Sequence, residues 1–247
     1  MTPIQIIDLQ KSFGQQKVLD GIRLDVAENE TLAVLGRSGT GKSVLLKLLI
    51  GLQTADSGSI CIRGKAIANL PVLELNEIRK HIGFLFQQSA LYDSLTLEQN
   101  VVFPMTRHSR APEKEHVERA RELLSSLGMS KEFGKLPSQI SGGMQKRVGL
   151  ARALALDPEI LLFDEPTSGL DPITASEISK LILDLKKTRR MTGIVVTHDL
   201  RGARIFADRV VLLEKGKIVA DGKLSDVQRS QEPFVREFMQ DANQVAL

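Results

Sequence analysis

Gly36-Arg37-Ser38-Gly39-Thr40-Gly41-Lys42-Ser43 stands between an apolar stretch, Thr31 to Leu35, and a helix-like run, Val44 to Gly51. Strand, glycine-rich turn and helix in that order make a phosphate cradle, a P-loop. Gly36, Gly39 and Gly41 let the backbone turn tightly and aim its N–H groups at the α- and β-phosphates of a nucleotide. The helix that follows adds the positive end of its dipole. Lys42 would reach the β- and γ-oxygens and the Ser43 hydroxyl would ligate Mg2+, while Arg37, Ser38 and Thr40 complete the loop. ATP or GTP is the expected ligand. The loop alone does not say what the nucleotide drives.

A second site is built from carboxylates. Ile160-Leu161-Leu162-Phe163-Asp164-Glu165 is an apolar strand ending in two acids, which sets Asp164 at the carboxyl edge where open α/β sheets bind ligands. Asp164 would hold Mg2+, directly or through water, and Glu165 would act as general base toward the attacking water. Taken alone, two adjacent acids before Pro166 are equally a strand-end turn; the P-loop upstream favours the chemical reading. A third segment, Ile140-Ser141-Gly142-Gly143-Met144-Gln145, runs into a helical stretch from Lys146 to Ala155. Ser141 reads as an N-cap, and the two glycines leave bare N–H groups at a helix start, making a second anion site. One nucleotide does not need two phosphate sites unless a second copy of the chain supplies one of them.

With that segment the sequence resembles the ATP-binding-cassette (ABC) ATPases, whose signature motif is Leu-Ser-Gly-Gly-Gln. Ile140 stands for Leu and Met144 for Gln, and both departures spare the Ser and glycines that would touch phosphate. The family's other motifs follow in order. Gln87 matches the Q-loop glutamine, Ser168-Gly169-Leu170-Asp171 the D-loop, His198 the switch histidine, and Phe13 the aromatic that stacks on adenine. The resemblance covers about residues 2 to 225. It implies catalytic roles for Glu165, His198 and Gln87, and Mg2+ ligation by Ser43, Gln87 and Asp164. It also implies nucleotide contacts from Phe13, residues 36 to 43, Ser141, Gly142, Gly143 and Asp171. A sandwich dimer follows from it, each ATP lying between Lys42 of one subunit and Ser141 and Gly143 of the other.

The elements that must position these residues are visible in the hydrophobic pattern. Residues 4 to 9, 17 to 26 and 58 to 63 are short β-type segments bounded by turn residues, which predicts an antiparallel β layer near the N-terminus. Ile82 to Phe86, Ile160 to Phe163, Gly193 to Thr197 and Val210 to Leu213 do not alternate with polar residues and read as buried parallel strands. From about residue 88 to 158 the chain reads as mostly helical, with Pro112 to Leu127 a helix of charged face. The expected fold is therefore α/β: a P-loop NTPase core of the ABC ATPase kind, with the antiparallel layer and an inserted α-helical subdomain. Residues 2 to 230 form one domain in this reading, and 231 to 247 a C-terminal tail.

Composition narrows the partners. Thirty-three Lys and Arg against 30 Asp and Glu leave only +3, and 4% aromatic residues, with no Trp, offer no stacking platform for bases. No nucleic-acid partner is expected. A lone Cys61 excludes an internal disulfide and suits a reducing compartment. The start lacks the regions of a signal peptide, and no apolar run reaches the roughly 20 residues of a membrane span. Membrane association would come through a partner.

Short segments specify a branch. Val44-Leu45-Leu46-Lys47, Leu91 to Thr96, Asn100 to Pro104, Gly143 to Arg147 and Asp171-Pro172-Ile173 resemble the Mla (maintenance of lipid asymmetry) ATPases, which drive phospholipid traffic across the bacterial envelope. That branch implies permease subunits, a periplasmic lipid-binding ring and a small STAS-domain protein as partners, at the cytoplasmic face of the inner membrane. Amino-acid and other small-solute importers are the alternative. Leu91 and Tyr92, beside Gln87, are bulky where a loop is normally polar, and fit either a permease-facing patch or the insert's own core. In the tail Phe234, Phe238 and Met239 share a face if helical, either crossing to the second subunit or folding back on their own domain.

Overall fold

The computed structural model describes residues 2–244. In chain order the strands are β1 (Ile4–Phe13), β2 (Gln16–Val26), β3 (Thr31–Leu35), β4 (Ser57–Ile62), β5 (Lys65–Ala66), β6 (Ile82–Leu85), β7 (Ile160–Asp164), β8 (Thr192–Thr197), β9 (Arg209–Glu214) and β10 (Lys217–Gly222). The helices are α1 (Lys42–Leu49), α2 (Val72–Lys80), α3 (Leu97–His108), α4 (Glu113–Ser126), α5 (Gly142–Ala153), α6 (Pro172–Arg189), α7 (Leu200–Phe206), α8 (Leu224–Val227) and α9 (Pro233–Gln244).

Two kinds of strand make two sheets. In β2 the buried Leu19, Ile22, Leu24 and Val26 are separated by exposed Gly21, Arg23 and Asp25, so one face is dry and the other wet. Such strands pair antiparallel, here in the order β2-β1-β4-β5. The second sheet runs β10-β9-β3-β8-β7-β6, parallel throughout except for the edge pair β9–β10. Of its interior strands, β3, β7 and β8 are buried at every position and β9 at all but its ends, because helices or the first sheet cover both faces. Period two persists inside them, as a division between two cores. Ala33, Leu35, Leu161, Phe163, Val195 and Leu212 point to one, and Leu32, Val34, Leu162, Ile194, Val196 and Val211 to the other. The strands expected from the sequence agree within a residue or two, except that β1 runs to Phe13, four residues past the expected end; β5 and β10 carry too short an apolar signal to be read.

The first core is shared with the helices between β6 and β7: Leu97, Val101, Leu123, Leu124 and Val148 join it. Helix α3 begins at a reciprocal capping box, Thr96 Oγ1 accepting from Gln99 N at 3.2 Å and Gln99 Oε1 from Thr96 N at 2.9 Å. The second core holds α1, through Leu45, Leu46, Leu48 and Leu49, against the antiparallel layer. Helix α9 packs on its own chain: Val235, Phe238 and Met239 are buried in the first core with Leu200 and Phe206 of α7. Residues 245–247 of the expected tail lie outside the described residues. Among the described residues no helix is long and apolar enough to cross a membrane.

Candidate nucleotide site

Strands β3, β8 and β7 are parallel neighbours with β6 beyond them, so the segments that leave their C-terminal ends stand in a row. These segments carry the P-loop, His198, Asp164 with Glu165, and Gln87. Residues more than 100 positions apart thus meet at one sheet edge, as doubly wound sheets require of ligand sites.

The P-loop joins β3 to α1. Gly41 caps α1 at φ +99° with no side-chain cap, and a Cβ there would lie 2.8 Å from Val18 O. Only glycine fits, and the first N–H groups of α1 are left without a side-chain acceptor, as a phosphate site needs. Lys42 is 5% exposed; its Nζ donates to Gly36 O at 2.8 Å and Arg37 O at 2.9 Å and lies 3.5 Å from Glu165 Oε1. Burial lowers its pKa, and Glu165 opposes that. Thr40 Oγ1 donates to Arg37 O. Arg37 itself reaches α9, with Nη2 2.7 Å from Glu237 Oε1 and the guanidinium 5.5 Å from the Phe234 ring. Ser38 and Gly39 are exposed.

Ser43 Oγ donates to Asp164 Oδ1 at 2.7 Å. Hydroxyl and carboxylate are hard oxygen donors of the kind Mg2+ takes beside phosphate oxygens, and among the described residues no cluster of three His, Cys, Asp or Glu forms a cage of its own. Ser43 and Asp164 therefore fit the cation expected of them. Burial raises the Asp164 pKa, the Ser43 hydrogen bond works against the rise, and the Glu165 charge adds to it. Gln87 is exposed, its Nε2 3.5 Å from Ser168 Oγ. Its side chain reaches the D-loop serine, not the Ser43–Asp164 pair.

Glu165 is 8% exposed, in left-handed backbone at φ +46°. Its Oε2 accepts from His198 N at 3.3 Å and lies 2.9 Å from His198 Nδ1. Burial pushes the Glu165 carboxyl up, but the His198 hydrogen bond and the charges of His198 and Lys42 outweigh it and the pKa ends lowered. The same hydrogen bond raises His198, against burial. Phe13, at the end of β1, is 48% exposed under Lys11, whose Nζ is 5.3 Å from the ring centroid.

The expected second anion site stands on other elements. Ser141 Oγ caps α5 by accepting from Met144 N at 3.3 Å, leaving the Gly142 and Gly143 N–H groups at the helix start. Gly143 lies against Thr174 of α6. Asp171 spends both carboxylate oxygens on α6, accepting from Ile173 N, Thr174 N and Thr174 Oγ1. Among the described residues no hydrogen bond joins Ser141, Gly142 or Gly143 to loop 36–43. Next to Gln87, Leu91 packs partly buried on the first core. Tyr92 is 46% exposed and stacks at 4.7 Å on Phe103 in a groove of about 400 Å³ that Phe84, Phe86, Pro104 and Arg152 also line. Leu91 thus takes the core alternative posed by the sequence, while Tyr92 is left on the surface.

The family model for the ABC transporter matches residues 19–168. The chain belongs to the ABC transporter family. It is 42% identical over 236 residues to the probable ribonucleotide transport ATP-binding protein mkl of Mycobacterium leprae, covering 96% of this chain and 68% of that one. It is 40% identical over 224 residues to the methionine import ATP-binding protein MetN of Mesorhizobium japonicum, covering 91% and 61%. The chain thus spans about two thirds of the length of these curated relatives. Among solved structures, the dimeric ATP-binding cassette MJ0796 bound to ADP and Pi superposes with a TM-score of 0.83 at 34% identity, covering 90% of this chain and 98% of that one. For cbiO1 from Clostridium perfringens, part of the cbiONQ transporter complex, the TM-score is 0.84 at 27% identity, covering 100% and 99%. The fold is that of the ABC ATPase cassette, and the chain is an ATPase of that family.

One residue of this ABC cassette escaped the sequence reading. Lys146 of α5 is 5% exposed, and its Nζ donates to the carbonyls of Gln87 and Glu165. Its signal was position: a lysine in a helical run whose Val148, Gly149, Leu150 and Ala151 are all buried.

Proposed function

We propose that this chain is the ATP-hydrolysing subunit of a membrane transporter, working as a dimer that closes on ATP. The observation that carries the hydrolytic part is the contact of Glu165 with the Lys42 ammonium at 3.5 Å and the His198 imidazole at 2.9 Å, beside the Ser43–Asp164 pair. Lys42 and His198 would both meet a bound γ-phosphate. As they turn to it they leave the carboxylate free to take a proton from water. Mg2+, bound by Ser43 and Asp164, would offset charge on the β- and γ-oxygens. Phe13 would stack on the base, and Gln87, exposed between the site and the helical insert, would relay closure.

Dimerisation follows from the separate half-sites. One chain offers Lys42 on one set of elements and Ser141 with Gly143 on another, and the solved relative MJ0796 is a dimer with ADP and Pi. The groove beside Tyr92 is the proposed seat of a permease segment, which would hold the chain at the cytoplasmic face of the inner membrane.

For the cargo we favour phospholipid, on the likeness of segments 91–96, 100–104, 143–147 and 171–173 to the Mla branch. A periplasmic lipid-binding ring and a STAS-domain protein would complete that machine. Import of a small solute is the second reading, favoured by the names of the relatives, ribonucleotide transport and methionine import. Purification of the chain from membranes with its bound subunits, followed by mass spectrometry of lipids and polypeptides, decides between them. Phospholipid with a ring-forming subunit is expected. A soluble solute-binding protein, with turnover stimulated by methionine or a ribonucleotide, would establish the second reading instead.

A further inference from the structure

Helix α5 reaches toward the loop that carries Gln87 at three points. Gly149 approaches so closely that a Cβ there would lie 2.8 Å from Leu85 Cδ1 and 3.2 Å from Ser89 Cβ. Three residues on, Arg152 donates Nη2 to Ser89 O and Nη1 to Ala90 O, both at 2.7 Å. Three residues back, buried Lys146 donates Nζ to Gln87 O and, at 3.2 Å, to Glu165 O. Three of the residues held in this way occupy left-handed backbone without being glycine: Ser89 at φ +59°, Ala90 at +48° and Glu165 at +46°. Such backbone persists only where its surroundings over-determine it, and it collects at working sites. A buried ammonium is costly unless its N–H groups find acceptors. The hydrogen-bond acceptors here are main-chain oxygens of the two segments that bring the glutamine and the base.

We propose that Lys146 is a positioning residue for ATP hydrolysis: one ammonium pins the carbonyls of Gln87 and Glu165, fixing the glutamine loop and the base to α5. The same helix begins at Ser141, Gly142 and Gly143, so whatever seats its N-terminus on a phosphate also sets Lys146. A nucleotide held at the signature end of a chain thereby orders the hydrolytic residues of that same chain, which serve the other nucleotide of the dimer. The inference rests on the reading of Glu165 as base and Gln87 as relay.

The test compares the unaltered chain with Lys146→Met, Lys146→Arg and Glu165→Gln, using Mg-ATP. ATP turnover, nucleotide affinity, thermal unfolding and hydrogen–deuterium exchange across residues 84–90 and 163–167 are measured for each. Lys146→Met is expected to lower kcat by about tenfold or more with KM for ATP changed by less than about threefold, and to raise exchange in both segments. Lys146→Arg, which keeps donors, should recover most of the turnover and protection. Wild-type kcat or unchanged exchange in Lys146→Met overturns the proposal. So does an equal loss in Met and Arg variants, and so does misfolding of both, since each makes Lys146 a packing residue only. Retained turnover in Glu165→Gln would instead remove the underlying reading of the base.

Discussion

Glu165 carries opposing influences on one carboxylate: burial acts to raise its pKa, and His198 and Lys42 act to lower it. The ion pair with His198 therefore stabilises the chain within a window. Glu165, lowered, contributes above its ordinary value of 4.5 and loses that contribution as pH falls through its folded value. His198, raised, contributes below 6.5 and loses it as pH rises through its own folded value. Removing the imidazole leaves burial in command. In His198→Ala the acid limb of kcat/KM, which reports the nucleotide-free chain, should move to higher pH, and a profile of kcat/KM against pH with an unmoved limb would contradict the pairing. Glu165→Gln should keep ATP affinity and lose turnover by a hundredfold or more, on the order of a lost general base. Lys42→Ala should lose both, because the cation that meets the β/γ-phosphates is gone. Equilibrium binding of a fluorescent ATP analogue beside steady-state turnover separates the two variants, and near-normal turnover in Lys42→Ala would remove the P-loop assignment.

At the scale of elements, the end of the chain behaves differently from a free tail. Val235 is fully buried, with Phe238 and Met239 beside it in the first core. Val235→Asp should therefore cost several kcal/mol, the cost of an unpaired buried carboxylate, whereas Gln240→Asp, at an exposed position of the same helix, should stay within about 0.5 kcal/mol. Denaturant unfolding gives both numbers, and equal effects would show that α9 does not dock in solution. The same helix shows where sequence reading ends. The interior strands were legible as unbroken apolar runs because both of their faces are covered, and once they were placed, the meeting of Lys42, Asp164, Glu165 and His198 followed from parallel order. The contacts of Arg37 and Lys146 were not legible. Their partners are Glu237 and two carbonyls 59 and 19 residues away, and no local pattern encodes such contacts. Leu91 and Tyr92, adjacent in sequence, end on opposite sides of the surface for the same reason.

For the whole molecule, the separation of the two anion sites makes a prediction about mixtures. A dimer of Lys42→Ala with Ser141→Arg contains one composite site with both defects and one with neither, if each site draws Lys42 from one chain and Ser141 from the other. Mixing the two inactive proteins should then restore turnover, and its absence from the mixture would argue for sites complete within one chain. Of the 247 residues, a single one is Tyr and none is Trp. That Tyr92 lies half-exposed on Phe103, in the groove proposed for the permease, and not against the P-loop. The protein is thus born with one intrinsic fluorophore, placed at the face where transport would be commanded. Its ultraviolet emission should stay nearly constant as nucleotide is titrated with the inner-filter effect corrected, and should change when a segment without tyrosine or tryptophan fills the groove, so that engagement with the membrane is visible in light with no label attached.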